Sequence, residues 1–110
     1  MAVYSDAHLT VDFDAQAASL DGRPLPLTRK EYELIAFMIR FPGELIPRST
    51  LLLGVWGYGP AIRTRTLDVH IARLRSRLGK YSSDYIDTVV RRGYRFRPCF
   101  HPAAQMALSA

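Results

Sequence analysis

Apolar and polar residues alternate along the first third of the chain. Over residues 8–14 every second position is apolar, a period of two that is typical of a half-buried β-strand. Asp21 and Gly22 then separate two short segments, 17–20 and 23–27, and Asp-Gly is a favoured two-residue hairpin turn because its geometry needs positive φ at both positions. The last segment carries two prolines, which lack ladder donors and favour a sheet edge. This region is predicted to form a small antiparallel sheet.

The spacing of apolar residues becomes helical after residue 27. Thr28 and Glu31 have the spacing of a capping box, in which each side chain satisfies a backbone amide of the other residue at a helix start. Pro42-Gly43 is expected to stop this first helix. Its apolar positions at helical spacing are Leu34, Phe37, Met38 and Phe41.

A second, shorter helix is predicted over residues 49–56. Leu51, Leu52 and Val55 are its apolar contribution to the core. The glycines and the proline that follow make residues 57–63 an irregular loop. Loops carry functional residues more often than cores do, so this loop is a candidate contact surface.

A third helix is predicted over residues 64–79, ending at a glycine. Four apolar residues fall within a narrow stripe of the helical wheel and are expected to face the core: Leu67, Ile71, Leu74 and Leu78. The opposite face combines arginines with small residues, as a helix needs if it is to lie deep in the major groove of DNA and reach base edges. That face consists of Arg65, Val69, Ala72, Arg73 and Ser76, with His70, Arg75 and Arg77 on its flanks.

Two strands are predicted near the C-terminus, over residues 85–90 and 94–97. Their register is ambiguous by one residue, and a shift of one residue exchanges the two faces of a strand. We expect a four-residue loop, 90–93, which pairs Val89 with Tyr94 and places Thr88 on the outside beside Arg95.

Charge is divided unevenly along the 110 residues. The net charge is +5, but residues 1–62 carry −2 and residues 63–97 carry +7. Nine of the ten basic residues in the second block are arginines, whose planar guanidinium suits phosphate and guanine. Such a block favours a polyanionic partner, because each neutralised phosphate releases counterions. A solvated basic face is the alternative explanation.

Several classes of function lack support in the sequence. A chain of this length corresponds to one domain, and no apolar run is long enough to span a bilayer. A signal peptide is not evident, so a cytoplasmic location is expected. Cys99 is alone and is interpreted as inert, without a metal-ligand pattern. Neither a phosphate-binding glycine motif nor a metalloprotease or nucleophile motif is present, so neither an enzyme nor a cofactor is expected.

The order of these elements resembles the winged-helix DNA-binding domain of OmpR/PhoB-type response regulators. The resemblance covers roughly residues 8–97, with residues 1–7 as an N-terminal extension and 98–110 as a tail expected to be disordered. It implies an α+β winged helix-turn-helix: an N-terminal antiparallel sheet, three helices and a C-terminal β-hairpin wing. The matching residues are Leu27-Thr28 with Glu31, Pro42-Gly43, Arg48 before Leu51-Leu52, Val55-Trp56-Gly57, the segment 65–71 with Arg73 and Arg75, Thr88-Val89, and Gly93 with Tyr94 and Phe96.

The resemblance also implies a role for individual residues. Val69 and Arg73 would face bases, with Arg73 as the candidate for a bidentate guanine contact. Contacts with the DNA backbone would come from Arg65, Thr66, His70, Arg75 and Thr88. The loop between the second and third helices often touches RNA polymerase in this family, and here it contains Tyr58, Gly59, Pro60, Ala61 and Ile62.

Two positions depart from the family pattern. Arg-Gly is common where this chain has Val90-Arg91, so the role of the usual wing arginine would fall to Arg91 or Arg92. Ala72 occupies a site that often carries a longer polar side chain. Alanine can contact a thymine methyl group but cannot hydrogen-bond, so the preferred DNA sequence should shift without loss of binding.

The resemblance implies partners as well. Relatives bind as pairs on direct repeats of double-stranded DNA, and half-sites about 10–10.5 base pairs apart would place two copies on one face of the duplex. The family normally has a phosphoacceptor receiver domain before this module, for which 110 residues leave no room. The chain is then either a fragment or a stand-alone protein. The alternative function is a winged-helix module whose basic face binds proteins, or DNA without sequence preference.

Overall fold

The computed structural model describes residues 2–100. The N-terminal sheet has four antiparallel strands in the order β1-β2-β3-β4. These are β1 (Val3–Ser5), β2 (Leu9–Asp12), β3 (Ala17–Leu20) and β4 (Arg23–Leu25). The predicted hairpin is confirmed, because Asp21 and Gly22 both have positive φ, 51° and 78°. The proline-containing strand β4 lies at the sheet edge, as predicted.

The predicted N-terminal extension needs a correction. Residues 1–7 contain β1, which pairs with β2 through Val3 opposite Asp12, and the fold therefore begins ahead of residue 8. A three-residue edge strand has too few alternating positions to give a pattern in the sequence.

Asp6 joins this N-terminal region to the C-terminal part of the chain. Its Oδ1 accepts hydrogen bonds from the Tyr85 hydroxyl at 2.5 Å and from the amides of His8 and Leu9. Its Oδ2 accepts from the Tyr4 hydroxyl and from the Cys99 amide at 3.2 Å. Five donors on one carboxylate therefore connect β1, β2 and the segment that follows the last strand.

Helix α1 (Arg29–Ile39) begins with the predicted capping box. The Thr28 hydroxyl accepts from the Glu31 amide at 3.2 Å, and the Glu31 carboxylate accepts from the Thr28 amide at 3.1 Å. The predicted apolar face is partly wrong, because Phe37 is only half-buried and Phe41 is 39% exposed. The residues that pack into the core are Tyr32, Leu34, Ile35, Met38 and Ile39.

Thr28→Ala is expected to lower the free energy of unfolding by about 1 kcal/mol, because the Glu31 amide at the start of α1 loses its acceptor. Urea denaturation measures the change. Thr50→Ala is the matched control, since Thr50 is an exposed threonine on another helix and should lose little stability on replacement. Equal stability of the wild type and Thr28→Ala would contradict the role of the cap.

The second helix has the predicted extent within one residue, but its second half is π-helical. Helix α2 (Arg48–Leu51) continues into a π-helical turn, Leu52–Trp56, and Gly57 ends it in the left-handed conformation at φ 74°. Gly54 lies directly beneath the Phe37 ring, where a Cβ atom would come within 2.3 Å of a ring carbon. Leu51 and Val55 are buried, as expected.

Helix α3 (Thr66–Leu78) agrees with the prediction within two residues at each end. The four apolar residues of its predicted stripe are all buried, with at most 1% exposure. Gly79 ends the helix with φ 58°. A 3-10 turn, Gly79–Tyr81, and the short helix α4 (Ser82–Tyr85) follow and were not predicted. Tyr85 therefore ends a helix instead of starting a strand.

The C-terminal sheet has three antiparallel strands in the order β5-β7-β6. They are β5 (Leu45–Pro47), β6 (Ile86–Val89) and β7 (Gly93–Phe96). Strand β5 was not predicted, because it has only three residues. Gly93 allows β5 to approach closely, since a Cβ atom on it would lie 2.0 Å from the Ile46 carbonyl oxygen.

The register of the hairpin formed by β6 and β7, hereafter the wing, differs from the predicted one by one residue. Val89 pairs with Gly93 and Thr88 with Tyr94, so the loop has three residues, 90–92, instead of four. Its middle residue, Arg91, has φ 64°. Because Arg91 adopts the left-handed conformation, the chain reverses in three residues instead of the expected four.

Residues 98–100, predicted to belong to a disordered tail, are part of the described structure. Cys99 accepts a hydrogen bond from the Ala7 amide at 2.7 Å and donates one to Asp6, so the start of the predicted tail packs against the N-terminal sheet. The prediction for residues 101–110 lies outside the described residues. Within residues 2–100, no helix combines the length and the apolar character that crossing a bilayer requires.

Candidate nucleic-acid interface

The outward face of α3 carries the residues predicted to contact bases. The buried stripe fixes the rotation of the helix, which leaves Val69, Ala72, Arg73 and Ser76 exposed on the other side. Val69 is 43% exposed, a large fraction for a valine in a packed helix. The face is therefore a shallow surface of small side chains from which one long guanidinium extends.

The N-terminal end of α3 is organised by two threonines. The Thr64 hydroxyl accepts from the Thr66 amide at 3.1 Å and so satisfies one of the free amides of the first turn. Arg65 stands between them and is exposed. Its side chain therefore takes no part in capping the helix and can extend toward a ligand.

His70 is half-buried, and one of its ring nitrogens is already engaged. Nδ1 lies 2.7 Å from the Thr66 carbonyl oxygen, so Nδ1 carries the proton and donates it. The ring also packs edge-on against Trp56, with centroids 5.0 Å apart. In the neutral ring Nε2 is then an acceptor, so it can donate to a phosphate only when the imidazole is protonated.

Asp68 links α3 to two other elements. Its carboxylate forms two hydrogen bonds with the Arg48 guanidinium at the start of α2, one of them at 2.9 Å, and accepts a third from the Tyr94 hydroxyl on β7 at 2.6 Å. The bond from Arg48 holds the pKa of Asp68 below its usual value. Burial, together with the bond to Asp68, raises the pKa of Tyr94 to about 12. These contacts give Asp68 a structural role in holding α3 against α2 and β7.

Arg75 and Thr88, both predicted to contact the DNA backbone, meet in the structure. Arg75 Nη2 donates to the Thr88 hydroxyl oxygen at 2.7 Å and to the Ile86 carbonyl oxygen at 3.1 Å. Thr88 pairs with Tyr94 and shares its face of the hairpin, so the predicted position beside Arg95 is wrong. Thr88 faces α3, where it contacts Arg75, and is exposed.

The wing tip consists of Val90, Arg91 and Arg92. Val90 is 74% exposed, and both arginines are exposed. Within residues 2–100, none of the ion pairs involves Arg91, Arg92, Arg65 or Arg73. The structure thus presents unpaired guanidinium groups at three places: the start of α3, its outward face and the wing tip.

The loop that follows the π-helical turn borders an apolar cavity of about 450 Å³. Tyr58, Gly59, Pro60 and Ile62 contribute to its lining, and Ile62 is 50% exposed. Ala61 is exposed in the same loop. Leu53, which was not predicted as a site residue, also lines the cavity and is 61% exposed. A helical wheel could have found it, because position 53 lies opposite the core residues 51 and 55.

Two further residues near the interface were not singled out as site residues from the sequence. Arg77 donates from Nε to the buried carboxylate of Glu31, at 3.4 Å, and so connects α3 with the start of α1. Arg48 holds Asp68 through two hydrogen bonds. Within residues 2–100, no cluster of three or more His, Cys, Asp or Glu side chains is arranged to hold a metal ion.

Most of the chain matches a known family. Residues 22–96 match the family described as transcriptional regulatory protein, C terminal. The chain belongs to this family. Among its relatives, ResD of Bacillus subtilis is 41% identical over 93 residues, and SrrA of Staphylococcus aureus is 39% identical over 92 residues; both are transcriptional regulatory proteins.

The alignments with these relatives cover most of this chain but only part of theirs. They include 82% and 81% of this chain, but 39% of ResD and 38% of SrrA. The chain therefore spans about two fifths of the length of the relatives that it matches.

Solved structures show the same architecture. The DNA-binding domain of Klebsiella pneumoniae RstA, in complex with the RstA box, superimposes with a TM-score of 0.81 at 27% identity, over 89% of this chain and 99% of that one. The DNA-binding domain of CpxR from E. coli gives a TM-score of 0.80 at 27% identity, over 90% and 99%. The predicted winged-helix fold of the OmpR/PhoB type is confirmed.

Proposed function

We propose that this domain binds double-stranded DNA in a sequence-specific manner, with α3 in the major groove, and thereby regulates transcription. The observation that carries the proposal is the outward face of α3, where Arg73 is exposed and outside every ion pair of the described residues, beside Val69 and Ala72. Membership in a family of transcriptional regulators and the RstA complex with its DNA box support it.

The chemistry of the side chains divides the contacts into two kinds. Arg73 can donate two parallel hydrogen bonds to guanine, while the apolar Val69 and Ala72 suit thymine methyl groups. Arg65 and Thr66 lie at the N-terminal end of α3, where phosphate is favoured by free amides and the helix dipole. The first group specifies the sequence and the second fixes the position of the helix.

The junction between α3 and the wing can hold another phosphate. Because the Thr88 oxygen accepts from Arg75, the hydroxyl hydrogen of Thr88 remains available to a ligand. Arg75 keeps donors that the wing does not use. His70 joins the backbone contacts only in its protonated form, since Thr66 occupies Nδ1.

Arg91 or Arg92 takes the place of the usual wing arginine. Arg91 is the stronger candidate, because its left-handed backbone costs free energy that glycine would avoid. Strain of this kind is concentrated at functional sites. An arginine kept at this position is explained by a contact that its side chain makes with DNA.

Arg91→Gly is expected to weaken DNA binding about three- to fivefold while the free energy of unfolding stays equal or rises, since the strain is relieved and one cationic contact is lost. Binding is measured by fluorescence anisotropy and stability by urea denaturation. Gln16→Gly is the matched control, because Gln16 also has positive φ, 54°, but lies in the N-terminal sheet region. It should gain stability without losing affinity. Unchanged affinity of Arg91→Gly would assign the wing contact to Arg92.

The greater length of the relatives supports a wider proposal. The domain serves as the effector module of a two-component response regulator in the cytoplasm, works together with a receiver domain and has no catalytic chemistry of its own. Two copies bind direct repeats in tandem, about one helical turn apart. The apolar cavity bordered by Leu53, Tyr58 and Ile62 is suited to an apolar side chain of RNA polymerase.

Selection of bound duplexes from a random pool at about 150 mM salt tests the proposal, because non-specific phosphate binding is already weak there. Enrichment of a motif repeated about every 10–10.5 base pairs is the expected result. Retention without any motif would overturn sequence-specific binding and leave a non-specific binder. No retention at all would favour a module whose basic face contacts proteins.

A further inference from the structure

The wing is attached to α3 at two points. Tyr94 on β7 donates to Asp68 in the first turn of α3, and Arg75 donates to Ile86 and Thr88 on β6. Positions 68 and 75 are two helical turns apart, about 10 Å along the axis, and lie on the same side of the helix. Two attachments separated along the helix restrain β6 and β7 against α3, in addition to the pairing of β7 with β5.

The two attachments are also connected to each other. The Tyr94 ring lies between them, with its hydroxyl on Asp68 and the Arg75 guanidinium carbon 6.0 Å from its centroid. Arg48 anchors Asp68 on the far side. A chain of side-chain contacts therefore runs from α2 through α3 to the strand that leads to the wing tip.

We propose that Arg75 is a positioning residue, which fixes the wing tip relative to α3 before DNA is bound. This inference rests on the proposed function, in which α3 and the wing contact neighbouring grooves. Because one guanidinium nitrogen is shared between a carbonyl and a hydroxyl of β6, Arg75 acts on the wing even without a phosphate. Preorganisation of this kind raises affinity by removing the cost of ordering the wing upon binding.

Arg75→Lys separates this role from a phosphate contact. Lysine keeps the positive charge that a phosphate needs, but its ammonium group lacks the planar fork that reaches both acceptors. In the free protein, amide hydrogen exchange at the wing is expected to become about tenfold faster, with Arg92, whose amide donates to Val89, as the reporter. The amide of Leu74, in the buried stripe of α3, should be unaffected.

The DNA experiment is a double-mutant cycle on the duplex obtained by selection. If Arg75 acts through the wing, Arg91→Gly should weaken DNA binding when it is introduced into the wild-type protein. Introduced into Arg75→Lys, it should have little further effect, because the wing is already displaced. On a duplex shortened to remove the wing contact, the loss caused by Arg75→Lys should be markedly smaller than on the full duplex, because only the phosphate contact at the junction is then altered. Both comparisons are made at one salt concentration.

Two results would overturn the proposal. Additive losses in the cycle would show that Arg75 and the wing tip contribute independently. Equal losses for Arg75→Lys on the full and shortened duplexes would identify a direct phosphate contact or a general loss of stability. If the wild type prefers no sequence at all, the proposed function fails, while the exchange measurement on the free protein still decides whether Arg75 orders the wing.

Discussion

Asp6→Ala is expected to lower the free energy of unfolding by about 3–4 kcal/mol, a much larger loss than removal of the Thr28 cap should cause. Hydrogen bonds to a charged group contribute more than neutral ones, and this carboxylate accepts five. Its removal also leaves the hydroxyl of the fully buried Tyr85 without an acceptor. The free energy of unfolding of a whole domain is about 5–15 kcal/mol, so the loss is severe.

The same carboxylate makes stability depend on pH. Burial acts to raise the pKa of Asp6, but the hydrogen bonds from Tyr4 and Tyr85 outweigh it and hold the pKa below its ordinary value. The folded state therefore binds fewer protons at this site than the unfolded chain. The contribution is complete above the unfolded pKa, about 3.9, and is lost as the pH falls through the folded pKa.

Urea denaturation between pH 3 and 7 checks both statements. Asp14→Ala is the control, because Asp14 is exposed and accepts one long hydrogen bond, 3.3 Å from the Ala2 nitrogen. It should change stability by less than about 0.5 kcal/mol. Asp6→Asn, which has no carboxyl group to protonate, should lose less stability than the wild type between pH 5 and pH 3. An Asp6→Ala variant as stable as the wild type would refute the role assigned to this carboxylate.

Asp6 also shows which parts of the fold a sequence does not reveal. The stripe on α3 was predictable, because residues four apart on one helix share a face whatever the rest of the chain does. The partners of Asp6 are 79 and 93 residues away at Tyr85 and Cys99, and no local pattern joins them. The short strands β1 and β5 were missed for the same reason, since their partners give them their structure.

The candidate site divides in a similar way. Exposure of Arg65, Val69 and Arg73 followed from the helical wheel alone. The pairing of Arg75 with Thr88 depended on the wing register, and a register error of one residue placed Thr88 on the wrong face. Periodicity predicts which way a side chain points from its own element. It does not predict which residue of another helix or strand that side chain contacts.

Arg73→Ala is expected to weaken binding to the selected duplex by about 1–3 kcal/mol, or roughly 5- to 150-fold, and to relax base preference at one position. Arg73 is exposed and outside the ion pairs of the described residues, so the stability of the variant should stay within about 0.5 kcal/mol of the wild type. Titrations of duplexes with each base at that position measure the effect. Lys80→Ala, which removes an exposed cation beyond the end of α3, is the control and should keep base preference.

Arg65→Ala distinguishes a phosphate contact from this base contact. It should weaken binding to every duplex to a similar extent and reduce the slope of log K against log salt by about 1, while the preferred sequence stays the same. Arg73→Lys should show the reverse, because it keeps the charge but loses the two parallel donors that fit guanine. Unchanged affinity in both Arg73→Ala and Arg65→Ala would exclude α3 as the element that enters the groove.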